Sequence, residues 1–195
     1  MNRGKIIDLI IMDMDGTIFT SNVDWRSVKK KLNVHNSSIL EKIYSSGVVD
    51  IDGLRYLEDI EEKNTLEAKT IDGSLEFVNE IRKRGIKVSL VTNNSRKNTN
   101  YLINKFNLSF DMIITRDEKM WKPSPSAFKF LMKKFEVEPE NTISIGDSDL
   151  DITASVRSNI SDIFIIKDSN ITGNYTENIN YFKDFHDLSN MIFNS

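Results

Sequence analysis

Two aspartates near the N-terminus, Asp13 and Asp15, directly follow an apolar run at residues 6–12. In an extended segment, residues i and i+2 point the same way, so one strand would deliver two carboxylates to one place. Gly16 comes next and lets the chain turn sharply. A carboxylate that closes a buried strand is costly unless it is paired or coordinated. The pair therefore predicts a reaction site rather than a piece of core.

Polar side chains also follow the apolar runs at residues 86–91 and 142–145. Thr92 and Asn93 come after the first run, and Asp147 comes after the second. In an open parallel sheet, ligands bind beyond the carboxyl ends of the strands, so these residues would meet the N-terminal aspartates. A hydroxyl and free N–H groups before a helix could seat a phosphate. Taken alone, Thr92 and Asn93 are better explained as helix caps.

Three of these acids, Asp13, Asp15 and Asp147, would repel one another at close range unless a cation lay among them. Oxygen ligands without cysteine or histidine favour Mg²⁺ over softer metals. Asp149 and Asp151 fit a ligand role and a helix-capping role equally well, because a helix is predicted to start there.

Lys122 is the one amine that the pattern places near these acids. A lone lysine is by default a surface residue. Pro123 follows it directly and would give Lys122 a fixed approach to the same edge of the sheet. A role for Lys122 in the site is better supported because the acids, the hydroxyl and the amide are predicted at the same edge.

The composition excludes several classes of protein. The chain has 195 residues, 39% of them hydrophobic, and a net charge of -3, which gives no reason to expect nucleic acid as a partner. It contains no cysteine, so disulfides, thiol catalysis and cysteine zinc sites are excluded. The absence of cysteine fits a cytoplasmic protein. The only two histidines are far apart in sequence, and the run at residues 6–12 is too short to cross a membrane.

Strand-like and helix-like segments alternate along most of the chain. Strands are predicted at residues 6–12, 86–91, 112–114, 142–145 and 163–166. Helices are predicted at 74–84, capped by Asp72, and at 125–135, capped by Ser124 with Pro125 in the first turn. The polar segment 168–180 is predicted to be a surface loop. This alternation indicates an α/β fold with a doubly wound parallel sheet.

Residues 18–71 break the alternation, because they contain no convincing strand. Apolar residues recur there at helical spacing in three groups, with Ser37 as an N-cap and Gly47 as a stop for the second helix. Trp25 and Tyr44 are predicted to pack inside this unit. The expected division is a catalytic core at 1–17 and 72–195, and a small helical cap domain at 18–71 above the two-carboxylate loop.

These motifs together resemble the haloacid dehalogenase-like (HAD) hydrolase superfamily. Its four signatures stand here in order as Asp-Met-Asp-Gly-Thr at 13–17, Thr92 with Asn93, Lys122, and Gly-Asp-Ser-Asp-Leu-Asp at 146–151. The helical insertion is similar to the small cap of the phosphoglycolate phosphatase and β-phosphoglucomutase branch. The resemblance implies a Rossmann-like core with that cap inserted after the first strand.

The resemblance also implies a role for each motif residue. Asp13 would be the nucleophile that forms an aspartyl-phosphate, and Asp15 would protonate the leaving group and then activate water. Mg²⁺ would be bound by the side chains of Asp13 and Asp147 and by the backbone carbonyl of Asp15. The phosphoryl oxygens would be held by Thr92, the amides around Asn93, and Lys122. Supporting parts would be played by Gly16, Thr17 and Asp151, the last orienting Lys122 or a metal-bound water.

The implied function is a Mg²⁺-dependent phosphatase that acts on a small phosphorylated metabolite, with no nucleic acid or membrane partner. Asp15 favours phosphate-ester chemistry, because relatives that cleave carbon–halogen or carbon–phosphorus bonds lack an aspartate there. Many capped relatives carry an acidic residue shortly after the first motif, where this chain has residues 19–22 (Phe-Thr-Ser-Asn). A phosphomutase of the β-phosphoglucomutase type and a catalytically silent phosphate-binding regulatory domain are the alternatives. The substrate and the oligomeric state are not readable from the sequence.

Overall fold

The computed structural model describes residues 6–35, 37–167, 171–176 and 179–194. Within these ranges the strands form one six-stranded sheet in the order β3-β2-β1-β4-β5-β6, with every neighbouring pair parallel. The strands are β1 (Leu9–Met12), β2 (Lys87–Val91), β3 (Met112–Ile114), β4 (Thr142–Gly146), β5 (Asp162–Ile166) and β6 (Ile179–Phe182). The helices are α1 (Trp25–Lys31), α2 (Ile39–Ile43), α3 (Ile51–Glu67), α4 (Ser74–Lys83), α5 (Arg96–Lys105), α6 (Ser126–Phe135), α7 (Asp149–Val156) and α8 (Phe185–Phe193).

The central strand β1 is buried on both faces, which explains its unbroken apolar sequence. Ile10 and Met12 belong to a core cluster with residues of α4, α5 and α8, such as Phe77. Leu9 and Ile11 belong to a second cluster with residues of α6 and α7. Alternate residues of one strand thus face two helical layers, and the doubly wound α/β architecture is confirmed.

The sheet differs from the prediction at both ends of the chain. Residues 6–8 precede β1 rather than belong to it, and Ile6 is 65% exposed. The predicted loop at 168–180 is wrong at Ile179 and Asn180, which begin β6. Residues 168–170, 177 and 178 lie outside the described residues. Strand β6 was missed because it pairs with β5 only, at the sheet's edge, and is half exposed, so it lacks a strong apolar pattern. Helix α8 was not predicted either.

Helix starts differ from the predicted caps by one or two residues. Gly73, not Asp72, is the N-cap of α4, in a left-handed conformation with φ of 75°. Helix α6 begins at Ser126, so Pro125 occupies the N-cap position that Ser124 was expected to fill. The Ser124 hydroxyl instead accepts a hydrogen bond from the Ser126 N–H at 3.3 Å. Adjacent polar residues compete for the same orphan N–H groups, so the sequence locates a start only approximately.

The insertion between β1 and α4 consists of the three helices α1, α2 and α3, as predicted. Its second helix is capped by Ser38 rather than Ser37, in a reciprocal box with Glu41, and it ends at Ile43, before Gly47. The chain enters and leaves the insertion side by side, since Phe19 and Thr70 form an antiparallel bridge. This places the insertion at the carboxyl end of β1.

The insertion has a small core of its own, made of Leu40, Ile43 and Leu57. Trp121, from the segment between β3 and α6, packs against this core and stacks on Tyr44, with 5.0 Å between ring centroids and 25° between ring planes. The insertion is therefore anchored by a residue adjacent to Lys122. Across the ranges described above, no helix has both the length and the apolar character that a membrane span requires.

Candidate active site

The parallel sheet brings the predicted residues to one edge. Asp13 directly follows β1, and its N–H donates to the Ile145 carbonyl of β4 at 2.9 Å. Thr92 directly follows β2, and its N–H donates to the Ile114 carbonyl of β3 at 3.0 Å. Asp147 follows the end of β4. Hydrogen bonding of the sheet thus continues into Asp13 and Thr92 and fixes where their side chains begin.

Lys122 is buried at this edge rather than exposed. Its Nζ donates a very short hydrogen bond to Asp13 Oδ1 and a second one to Asp151 Oδ1 at 2.6 Å. Asn93 holds the lysine backbone at both polar groups: the Asn93 amide donates to the Lys122 carbonyl at 2.8 Å, and its Oδ1 accepts from the Lys122 N–H at 2.8 Å. The default expectation that Lys122 is a surface residue is therefore wrong.

The interpretation of Thr92 and Asn93 as helix caps is also wrong. Ser95 is the N-cap of α5, where its side chain accepts from the Asn98 N–H. Thr92 is almost fully buried, and its hydroxyl accepts from the Asn94 N–H at 3.0 Å. Both predicted residues therefore lie in the loop before the helix and face the acidic cluster.

Asp151 and Asp149 have different environments, although the sequence treats them alike. Asp151 Oδ2 accepts from the N–H and the hydroxyl of Ser148, while Oδ1 accepts from Lys122. Asp149 points away and accepts from Thr172 and Tyr175. Asp151 thus caps α7 and orients the lysine, whereas Asp149 anchors a surface loop.

Three carboxylates offer oxygens close enough to share one cation. One oxygen each from Asp13, Asp147 and Asp151 lies within 4.8 Å of the others. This side-chain set differs from the expected one, which had the Asp15 carbonyl in place of Asp151. Both oxygens of Asp151 already accept hydrogen bonds, whereas Asp13 uses only Oδ1, so Asp13 and Asp147 are the freer ligands.

Asp15 lies beside this cluster. Its Oδ2 accepts from the Asn94 amide at 3.0 Å, and its Oδ1 is buried without a hydrogen bond from any described residue. Burial raises the pKa of the Asp15 carboxyl, and the bond from Asn94 partly opposes this effect. A carboxyl with a raised pKa is suited to carrying a proton.

The acids at this site are held in an environment that disfavours their charge. Burial raises the pKa of Asp13 to about 7, although Lys122 opposes the rise. Burial, and then the charges of Asp13 and Asp151, raise the pKa of Asp147 well above its usual value. Burial lowers the pKa of Lys122, but the two adjoining carboxylates outweigh it and raise the pKa overall. One ammonium does not neutralise three acids, so the site favours a further cation.

Two glycines let these acids approach the backbone. Gly16 has φ of 86°, and a Cβ there would lie 2.0 Å from Asp147 Oδ2. A Cβ at Gly146 would lie 2.3 Å from the Asp151 carboxyl carbon. Thr17, the last residue of the first motif, is fully buried, and its hydroxyl has no hydrogen-bond partner in the described part of the chain.

Sequence reasoning missed an ion pair between the insertion and the core. Arg116, from the segment after β3, donates to Glu61 of α3 at 2.5 Å, with both side chains at most 5% exposed. A signal was available: Leu57, Glu61 and Asn64 are all buried, at positions i, i+4 and i+7 of α3. A glutamate on the inward face of an amphipathic helix indicates a buried partner.

Two cavities lie between the insertion and the core. One of about 150 Å³ is lined by the acids, Lys122, Thr92 and Asn93. The other, of about 440 Å³, lies next to it, and Trp25 and Glu61 line both. Trp25 was predicted to be core, but it is 38% exposed. The arrangement can hold a small charged group at the acids and a larger body beside it.

Comparisons with known proteins identify a matching family and similar sequences. The haloacid dehalogenase-like hydrolase family matches residues 19–165, a range that includes Thr92, Asn93, Lys122, Asp147 and Asp151 and begins just after Asp13 and Asp15. A haloacid dehalogenase-like hydrolase domain-containing protein of Arabidopsis thaliana is 21% identical over 71% of this chain and 62% of its own length. The match thus spans under two thirds of that plant protein.

Two further proteins are similar over nearly the whole chain. The pyrophosphatase PpaX of Oceanobacillus iheyensis is 27% identical, over 92% of this chain and 90% of its own length. The crystal structure of a predicted phosphoglycolate phosphatase from Haemophilus somnus superposes with a TM-score of 0.70 at 18% identity, covering 95% of this chain and 97% of that one. The latter supports the fold alone.

Proposed function

Because the chain belongs to the haloacid dehalogenase-like hydrolase family, we propose that it is a Mg²⁺-dependent phosphatase that hydrolyses a small phosphorylated metabolite through an aspartyl-phosphate intermediate. The observation that carries the proposal is the contact of Lys122 Nζ with both Asp13 and Asp151. A buried ammonium beside a strand-end carboxylate places a cation where the oxygens of a transferring phosphoryl group would lie.

The residues present fit a hard divalent cation. Asp13 and Asp147 offer carboxylate oxygens in a pocket with too little positive charge for its acids, and Gly16 leaves room for Asp147 at the backbone. Mg²⁺ prefers such oxygen ligands, and together with the Asp15 carbonyl these two side chains would hold it. When bound, Mg²⁺ would shield the negative charge of the phosphate from the attacking carboxylate.

In the first step, an Asp13 oxygen attacks phosphorus, and the bond from phosphorus to the leaving-group oxygen breaks. Asp15 gives its proton to that oxygen, so the leaving group departs as a neutral alcohol. In the second step, Asp15 takes a proton from water, the water oxygen attacks phosphorus, and Asp13 is released as a carboxylate. The raised pKa of Asp15 and its bond from Asn94 suit this exchange of one proton.

During both steps the phosphoryl oxygens are held by Thr92, the backbone around Asn93, and Lys122. Asp151 acts as a positioning residue, because it accepts a hydrogen bond from the same Lys122 ammonium that contacts Asp13. The proposed division of the chain is a catalytic core at residues 1–17 and 72–195, and a cap domain at 18–71. The antiparallel bridge between Phe19 and Thr70 marks where the two meet.

The proposal is tested by incubating the purified chain with Mg²⁺ and a panel of phosphorylated metabolites while free phosphate is measured. Release from one or more esters, absent in Asp13→Asn, supports a phosphatase. Inactivity across the whole panel contradicts the proposal and favours a silent binding domain. A time course with a hexose 1-phosphate identifies the other alternative, because isomerised product without free phosphate indicates a mutase.

A further inference from the structure

The two cavities between insertion and core meet at a junction formed by Trp25, Glu61, Asn93 and Leu150, which line both. The smaller cavity contains the acids and Lys122, so it is where a phosphoryl group would bind under the proposed function. The larger cavity of about 440 Å³ begins at the same four residues. A leaving group that extends from that phosphoryl group past the junction would therefore occupy the larger cavity.

The walls of the larger cavity are suited to an apolar body. Carbon surface is supplied by six residues, namely Trp25, Ile39, Leu40, Leu57, Pro123 and Leu150. The two cationic side chains in its lining, Lys29 and Arg157, are both exposed. An anion bound there would have only solvated partners, which contribute little to affinity.

The charged group at the junction itself is an acid. Glu61 is 4% exposed and bonded to Arg116, which also lies 3.6 Å from Glu58 and donates to the Asn93 carbonyl at 3.4 Å. One guanidinium thus faces two carboxylates. Arg116 lines neither cavity, whereas Glu61 lines both, so Glu61 would repel a second negative charge on the leaving group.

We infer, on the basis of the proposed phosphatase function, that the substrate is a phosphate monoester whose leaving group is uncharged and presents an apolar face, and that Glu61 excludes leaving groups bearing a carboxylate or a second phosphate. Excluding a competitor by like-charge contact is a common route to specificity. The chain would therefore discriminate against phosphoglycolate and pyrophosphate. Two of the proteins that it resembles are named for activity on these compounds.

The test compares two esters that differ in one charge. Benzyl phosphate and 4-carboxybenzyl phosphate have similar leaving oxygens and similar size, so the ratio of their kcat/KM values reports recognition of the carboxylate. The assay is run with Mg²⁺ at about pH 8, because burial raises the pKa of Glu61 to about 7 and the group should be ionised. Wild type should prefer benzyl phosphate by at least about tenfold.

Two variants locate the origin of the preference. Glu61→Gln keeps the shape and removes the charge at the junction, so the ratio should fall by at least about tenfold. Glu58→Gln is the matched control: it removes a carboxylate from the same arginine, but Glu58 is half exposed and lines neither cavity, so the ratio should stay at the wild-type value.

The outcomes separate the two proposals. If wild type hydrolyses 4-carboxybenzyl phosphate, phosphoglycolate or pyrophosphate with the same kcat/KM as benzyl phosphate, the inference is overturned. The proposed phosphatase function would still be supported. A preference that survives in Glu61→Gln overturns the role of Glu61. Hydrolysis of no ester at all overturns the proposed function, and with it this inference. The order of the wild-type kcat/KM values for these compounds is measured without any variant. The inference therefore remains testable even if a variant fails to fold.

Discussion

Gly16 and Asp147 are packed so closely that no side chain fits between them. The backbone of Gly16 has φ of 86°, and a Cβ placed on it would lie 2.0 Å from Asp147 Oδ2. The first motif and the fourth motif therefore meet through a glycine, and the position of one proposed metal ligand depends on the absence of a side chain in the other motif.

Gly16→Ala should abolish phosphate release, with a loss of at least about a hundredfold, because Asp147 must move away from its position beside Asp13. The variant should also lose on the order of 1–3 kcal/mol of stability from backbone strain. Steady-state kinetics and chemical denaturation measure the two effects.

Gly85→Ala is the matched control for Gly16→Ala. Gly85 also has a positive φ, 74°, but a Cβ there would meet nothing within 4 Å. It should lose stability through the same backbone effect and keep its activity. Equal activity in both alanine variants would contradict the proposed importance of the contact between Gly16 and Asp147.

Removal of divalent metal by EDTA should stop phosphate release, and Mg²⁺ should restore it. Asp147→Asn should raise the Mg²⁺ concentration needed for half-maximal activity by at least about tenfold, because a ligand charge is lost. Asp149→Asn is the control, since that carboxylate bonds to Thr172 and Tyr175 instead. An identical Mg²⁺ dependence in both variants would argue against Asp147 as a ligand.

Loss of Arg116 alone should weaken the attachment of the insertion to the core. Arg116→Met leaves the Glu61 carboxylate buried and uncompensated, which should cost about 3–5 kcal/mol in the free energy of unfolding. The double variant Arg116→Met with Glu61→Leu should recover most of that loss, because both charges are gone. Additive losses in a double-mutant cycle by urea denaturation would show that the two side chains do not interact.

The pH dependence of stability should reflect Glu61. Burial raises its pKa from 4.5 to about 7, against the opposing effect of Arg116 and with further contributions from Asp15 and Glu58. Between these values the folded state holds the Glu61 proton more tightly than the unfolded state does, so this contribution to stability is present at low pH and lost as the pH rises toward about 7.

Wild type should therefore lose up to about 3 kcal/mol relative to Glu61→Gln when the pH is raised through this window. Urea denaturation of both proteins across the window measures the difference. Glu58→Gln removes only the smallest of these contributions to the pKa of Glu61, so it should keep most of the wild-type pH dependence. Parallel pH profiles for wild type and Glu61→Gln would contradict a buried Glu61 with a raised pKa.

The parts of the fold that sequence could predict are those with a strong local pattern. β1 and the following Asp13 were predictable because a run of apolar residues ended in an acid that a core would not tolerate. Exact helix boundaries were not predictable. The N-cap of α2 is Ser38 rather than Ser37, and neighbouring serines can supply the same capping hydrogen bond. Strand β6 lies at the edge of the sheet and buries only Phe182 fully, so its apolar pattern was too weak.

The site was predictable as a set of residues and not as a set of contacts. Lys122 was recognisable by its place in the order of motifs, but its burial depends on Asn93 and on acids far along the chain. The Arg116–Glu61 pair joins residues 55 positions apart, and the helical spacing that signals burial of Glu61 does not identify Arg116 as its partner. Long-range pairing of this kind is fixed by how the insertion packs on the core.

The central claim is that Asp13 forms the covalent bond to phosphorus, and phosphate release by Asp13→Asn tests it most directly. Asp8→Asn serves as the control, since Asp8 is an exposed residue just before the same strand, where it accepts from Asn141. The account predicts that Asp13→Asn releases phosphate at least about a thousandfold more slowly than wild type, while Asp8→Asn matches wild type. Phosphate release by Asp13→Asn at the wild-type rate would contradict it.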